Sequence, residues 1–184
     1  MGQRSQMPTV PQLLACGLHL VPRPMIQRPL ERVVVAVARR HPSLFARLGH
    51  FAAMTFLIDP TDLPIALRLW PRPDSPSLEV LRTPTRAPSD ARIAGPFSVL
   101  LDMVHGAADG DALFFSRDLA IEGSTEAILA LRNALDDAEI DLLAEFAAAL
   151  GPLGRLAERP ARALLPIAER LTGVTLARAG RLPA

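Results

Sequence analysis

The residues able to do chemistry are few and far apart. Asp102 and His105 stand at i and i+3 in a segment patterned as a helix, with Asp109 and Asp111 beyond. Together they read as half of a metal site. A metal site needs three or four convergent ligands, and no second His, HExxH or CxxC lies near. A helix-end histidine beside solvated carboxylates accounts for the same residues. Asp59 and Asp62, in IDPTDLP, could form a carboxylate pair, but the flanking prolines favour a turn with an Asx-type cap. Ser116 lacks the GxSxG elbow that exposes a nucleophile. Cys16 is the sole cysteine and has no base beside it, so internal disulfides and cysteine metal clusters are excluded. Glycine-rich phosphate loops are absent, and the arginine-rich stretches carry no interleaved aromatics on which bases could stack. The expectation is a protein that is not an enzyme, holds no metal or cofactor, and binds no nucleic acid.

With 184 residues, 49% hydrophobic and 21% charged, the chain can bury a core and fits one globular domain with appendages. Net charge is +1 but unevenly spread. Residues 1–50 hold seven Arg against one Glu, residues 109–145 ten Asp and Glu against two Arg, and residues 152–184 six Arg against two Glu. Basic ends around an acidic middle suit an anionic membrane surface or an acidic partner; ordinary solvated faces suit the pattern equally. No uninterrupted apolar run reaches the ~18 residues that a membrane span needs. Leu13–Val21 is apolar, but Pro11, Pro22 and Pro24 bracket it, and it lacks the flanks of a signal peptide. The expected location is the cytoplasm, peripheral to the inner membrane.

The elements that must position these residues come from periodicity and punctuation. Pro8, Pro11, Pro22, Pro24 and Pro29 predict an irregular arm over residues 1–29, because proline lacks an N–H and restrains the residue before it. Leu30–Arg40 is patterned as a helix with Leu30, Val33, Val34, Val37 and Ala38 on one face; Pro42–Leu48 is a second, ending at Gly49. Phe51–Ile58 is rich in strand formers, and Ile65–Trp70 and Leu78–Arg82 alternate as the arms of a hairpin. A short strand at Ala91–Ala94 precedes a helix at Phe97–His105, and Leu119–Ile121 is strand-like. Ser124 is a good N-cap for a helix to Leu135, with Ile128, Leu131 and Leu135 on one stripe. From Asp137 to about Gly173 the pattern is helical, broken at Gly151-Pro152. These elements carry more apolar faces than a five-stranded sheet must bury. Surplus core is one reading; a cavity or groove for a long hydrophobic ligand is the other.

This order of elements resembles the sterol carrier protein 2 family. The carrying residues are Asp90–Ile93 (DARI) leading into Phe97–His105, Ala112–Ser116 (ALFFS), Leu119–Gly123 (LAIEG) and Leu129–Leu135, so the likeness spans about residues 30–137. Within it, DGDALFFSRDLAIEGSTEAILALRNALDDAEID is similar to the UbiT branch, accessory factors of bacterial ubiquinone biosynthesis, and the VPRP lead-in and helical tail extend that likeness to about residues 20–172. The proline-rich hairpin loop and arginine-rich tail depart from it.

The resemblance implies an α+β fold with about five strands in a mixed sheet, covered by helices around an apolar cavity. It implies an N-terminal arm (1–29), a lipid-binding domain (30–137) and amphipathic C-terminal helices (138–184) serving as a lid. It implies no catalysis, and a role in oxygen-independent ubiquinone synthesis beside the iron–sulfur hydroxylase pair UbiU and UbiV. The implied ligand is a polyprenylated ubiquinone precursor or a phospholipid. Its expected lining is Phe56, Ile58, Leu67, Leu69, Phe97, Leu101, Val104, Phe114, Phe115, Leu119, Ile121, Ile128, Leu131 and Leu135, with Arg117 and Arg132 the nearest cations. The alternative is a scaffold that docks biosynthetic enzymes at the membrane surface with its cleft closed.

Overall fold

A computed structural model describes residues 18–83, 87–105, 119–138 and Glu145, the side chains of Val104 and His105 excepted. Its strands are β1 (Phe56–Pro60), β2 (Ile65–Trp70), β3 (Ser77–Arg82), β4 (Ala91–Gly95) and β5 (Ala120–Gly123), in the sheet order β3-β2-β1-β4-β5. β1 runs parallel to β4 and every other pair is antiparallel, so the sheet is mixed. The helices are α1 (Arg23–Arg40), α2 (Pro42–Leu48), α3 (Phe97–His105) and α4 (Thr125–Asp137), with a 3-10 turn at Gly49–Ala53. The expected α+β architecture and the β2–β3 hairpin are both present.

Strand alternation sorts the side chains onto two faces. Phe56 sits beside Leu69 and Ala91, Ile58 beside Leu67 and Ile93, and Ile93 beside Ile121, which makes one face continuously apolar. The helices pack there. Leu44 and Leu48 of α2, Leu100 and Met103 of α3, and Ile128 and Leu131 of α4 close over Phe56 and Ile93. A second cluster joins Ile65, Leu78 and Val80 to Ile26, Leu30 and Val34 of α1, while Val37 of the same helix reaches the first cluster.

Two sequence expectations are corrected. The first helix begins at Arg23 and not at Leu30, and it runs through Pro29. Pro24 is tolerated because the first-turn N–H groups have no helical partner anyway. Pro29 does forfeit a bond, but Ile26, Leu30 and Val34 are packed and the first turns are tied to β3. Phe51–Ile58 is not one strand either. Gly49 (φ 52, ψ −129) redirects the chain into the 3-10 turn, and β1 starts only at Phe56.

The ties to β3 finish the sheet. β3 is an edge strand, and its outer polar groups meet side chains of α1. Gln27 donates to the Leu78 carbonyl and accepts from the Val80 N–H, both at 2.6 Å, and Arg23 Nε donates to the Val80 carbonyl. Arg82 in turn donates to the carbonyls of Leu18 and Val21. An open strand edge recruits foreign strands; here α1 satisfies it. At the opposite end, Gly123 (φ 78) ends β5 and Ser124 caps α4, its Oγ accepting the Ala127 N–H at 3.1 Å.

Candidate functional site

The region that could hold a ligand is the apolar face of the sheet under α2, α3 and α4. Eight of the expected lining residues meet in its main cluster: Phe56, Ile58, Leu69, Leu119, Ile121, Ile128, Leu131 and Leu135. They divide by exposure. Phe56, Ile128 and Leu131 are 0, 0 and 2% exposed and build the wall from within. Ile58, Leu69, Leu119, Ile121 and Leu135 are half-buried and supply its accessible surface. Leu67 packs on the second cluster, which Leu69 also touches. Phe97 is half-buried at the start of α3, and Leu101 is buried outside both clusters. Phe114, Phe115 and the side chain of Val104 lie outside the described residues, as do Arg117, Cys16, Ser116, Asp109, Asp111 and the expected tail helices apart from Glu145. Arg132 is half-buried and already engaged.

The two carboxylates of the IDPTDLP turn do not work as a pair. Asp62 accepts the Phe97 N–H at 2.8 Å and so caps the start of α3. Asp59 is buried on the other face of the sheet, where Arg92 bridges it to Glu122, the latter contact at 2.6 Å. The hydrogen bond that Arg92 donates to Asp59 raises the Arg92 pKa above its ordinary value; burial opposes this and Glu122 adds to it. Beyond Leu57, which stands in register between Arg92 and Arg68, a second group joins Arg68, Glu79 and Arg23. The Arg68 hydrogen bond holds the Glu79 carboxyl below its usual range, against partial burial and with help from Arg23. Arg68 also lies over the Trp70 ring at 4.8 Å. No local pattern signals these groups, because their partners come from separate elements: Asp59, Arg92, Glu122, Arg68 and Glu79 from five different strands and Arg23 from α1. The Arg92–Glu122 pair becomes visible only once the β4–β5 register is known.

A charged side chain already neutralised by two partners is poorly placed to move protons. The apolar wall holds no acid, base or nucleophile among the eight residues named. Among the described residues no group of three His, Cys, Asp or Glu could hold a metal, and no helix is long and apolar enough to cross a membrane. Two open surface grooves, of about 430 and 400 Å³, lie elsewhere: one between α2 and α4, the other along α1. Neither is lined by a residue of the wall. What the wall can do chemically is exclude water from apolar matter.

The chain is similar to several solved structures. The structure of "UbiJ-SCP2 Ubiquinone synthesis protein" is similar with a TM-score of 0.52 at 19% identity, covering 66% of this chain and 98% of that one. "Sterol Carrier Protein 2 from Yarrowia Lipolytica (apo form)" is similar with a TM-score of 0.41 at 15% identity, covering 58% and 87%. No curated protein sequence matches. The model of the SCP-2 sterol transfer family matches residues 36–136, from within α1 almost to the end of α4. Over that span, which takes in the whole sheet and the apolar wall, the chain belongs to the SCP-2 sterol transfer family.

Proposed function

We propose that the protein is a non-catalytic, lipid-binding accessory factor of oxygen-independent ubiquinone biosynthesis. It holds a polyprenylated ubiquinone precursor or a phospholipid against the apolar wall, with no cofactor. The observation that carries this is the convergence of eight apolar side chains, from β1, β2, β5, α4 and Leu119 just before β5, on one cluster that among the described residues contains no reactive group. Burying apolar surface stabilises by about 25 cal/mol per Å², so a few hundred Å² of isoprenoid chain supplies several kcal/mol without any polar contact. The ubiquinone assignment is supported by the LFFSRDLAIEGSTE wording, which resembles the UbiT branch, and by the likeness to a ubiquinone synthesis protein. The same resemblance makes UbiU and UbiV the expected partners. Leu20 and Met25, 83% and 68% exposed at the basic N-terminal end, support a peripheral contact with an anionic inner membrane from the cytoplasmic side.

Native mass spectrometry of the purified full chain, with organic extraction, tests the carrier reading. The expected result is a co-purifying isoprenoid quinone precursor or phospholipid at stoichiometric amount. A clean lipid-free mass with nothing extractable overturns it. That outcome would favour the second reading, a scaffold with a closed cleft, for which the complete burial of Phe56 and Ile128 speaks.

A further inference from the structure

α1 and α4 lie on the same face of the sheet, either side of α2, and each leaves a groove open to solvent. The α1 groove is basic: Arg28, Arg32 and Arg39 are exposed along it, and none of them has a carboxylate partner among the described residues. Its one acid among the described residues, Glu31, is occupied by Gln27. The α4 groove carries Asp136 and Asp137 beside Arg47 of α2, and the exposed stripe of α4 continues from it toward the N-terminus through Leu129, a large apolar residue left 39% exposed, to exposed Glu126.

The two stripes match when laid antiparallel. Arg28 then faces Asp137, Arg32 faces Asn133, Ala36 faces Leu129 and Arg39 faces Glu126. Eleven residues separate the end pairs on both helices, about 16 Å of helix. This register sets no like charges opposite one another, and small Ala36 leaves room for Leu129. Arg47 already holds Asp137 from the α2 side, which leaves that carboxylate's remaining lone pairs for a second guanidinium.

We infer that the partner of each groove is a second copy of this chain, with α1 of one protomer laid antiparallel on α4 of the other. One chain carries both halves, so a two-fold arrangement uses each stripe once and closes without leaving a free end. The contact rests on exposed charges and one apolar residue. The association is therefore weak and falls as salt rises.

Sedimentation velocity of the full chain over a concentration series, at low and at physiological salt, tests this. Wild type dimerises at low salt and dissociates as salt rises. Arg28→Glu/Arg39→Glu and Glu126→Arg/Asp137→Arg each weaken self-association by at least about tenfold. Mixed in equal amounts, the two variants restore a heterodimer, which a merely misfolded variant would not do; circular dichroism confirms that each is folded. A monomeric wild type at low salt overturns the proposal, and so does failure of two folded variants to associate on mixing. Loss of binding to phosphatidylglycerol vesicles by Arg28→Glu/Arg39→Glu, with self-association intact, also overturns it and assigns the α1 stripe to the membrane.

Discussion

Gly123→Ala probes how the signature stretch is built. Gly123 has φ 78, where an L side chain costs about 1–2 kcal/mol. A Cβ there would stand 2.2 Å from the Asp90 carbonyl oxygen and 3.1 Å from its carbon. That carbonyl is not free to retreat. It accepts the Ser124 N–H at 3.0 Å, and the Asp90 N–H and side chain bond Thr55 at 2.9 and 2.7 Å. Relieving the clash therefore disturbs the β4–β5 pairing and the α4 N-cap together, and overpacking of this kind costs about 1–3 kcal/mol. The sum, about 2–5 kcal/mol, is a large part of the roughly 5–15 kcal/mol that holds a domain together. Urea unfolding followed by circular dichroism reads it as a midpoint lowered by about 1–2 M. Gly49→Ala is the comparator: Gly49 also has positive φ, but nothing lies within 4 Å of its would-be Cβ, so only the backbone cost applies. If Gly123→Ala proves no costlier than Gly49→Ala, the steric reasoning fails.

Three further outcomes are expected. Gln27→Ala strips the Val80 N–H and Leu78 carbonyl of their partners and should cost about 1–3 kcal/mol in the same unfolding assay; a change within error would mean that water replaces the amide freely. Ile128→Ala, at a site with 0% exposure, should cost about 2–5 kcal/mol, and a loss below about 1 kcal/mol would show that the wall is loosely packed. Because Arg68 lowers the Glu79 pKa, the stability from that ionised carboxylate is complete above the usual glutamate value of 4.5 and is lost as pH falls through the lowered one. The stability gap between wild type and Glu79→Gln should thus shrink on acidification below pH 4.5, and a gap independent of pH would contradict the assignment.

Much of the fold was legible in the sequence because it rests on local rules. Ile65–Trp70 and Phe97–His105 were read to the residue, since alternation and helical spacing were clean and prolines or glycines marked their ends. Ser124 was legible as a cap because capping needs only a hydroxyl beside the first turn. The convergence of Ile128, Leu131 and Leu135 followed from one helical stripe. Local rules failed where tertiary contacts outweighed them. Pro29 read as a helix breaker, yet packing on β3 carries the helix through it. Phe51 read as strand, yet the turn at Gly49 takes it into the main cluster.

The sequence by itself determined which surfaces are apolar, where the chain turns, and that no familiar catalytic or metal-binding motif is present. Only the tertiary structure decided which charges meet. Asp59 finds Arg92 and not Asp62 through the sheet register, while Gln27 finds the edge of β3 and Glu145 finds Arg40 through the packing around α1; each contact joins residues dozens of positions apart. Hydrophobic pattern is written along the chain with the period of its helices and strands. Long-range pairing is set by how those elements stack, and nothing in the spacing of one residue to the next encodes it.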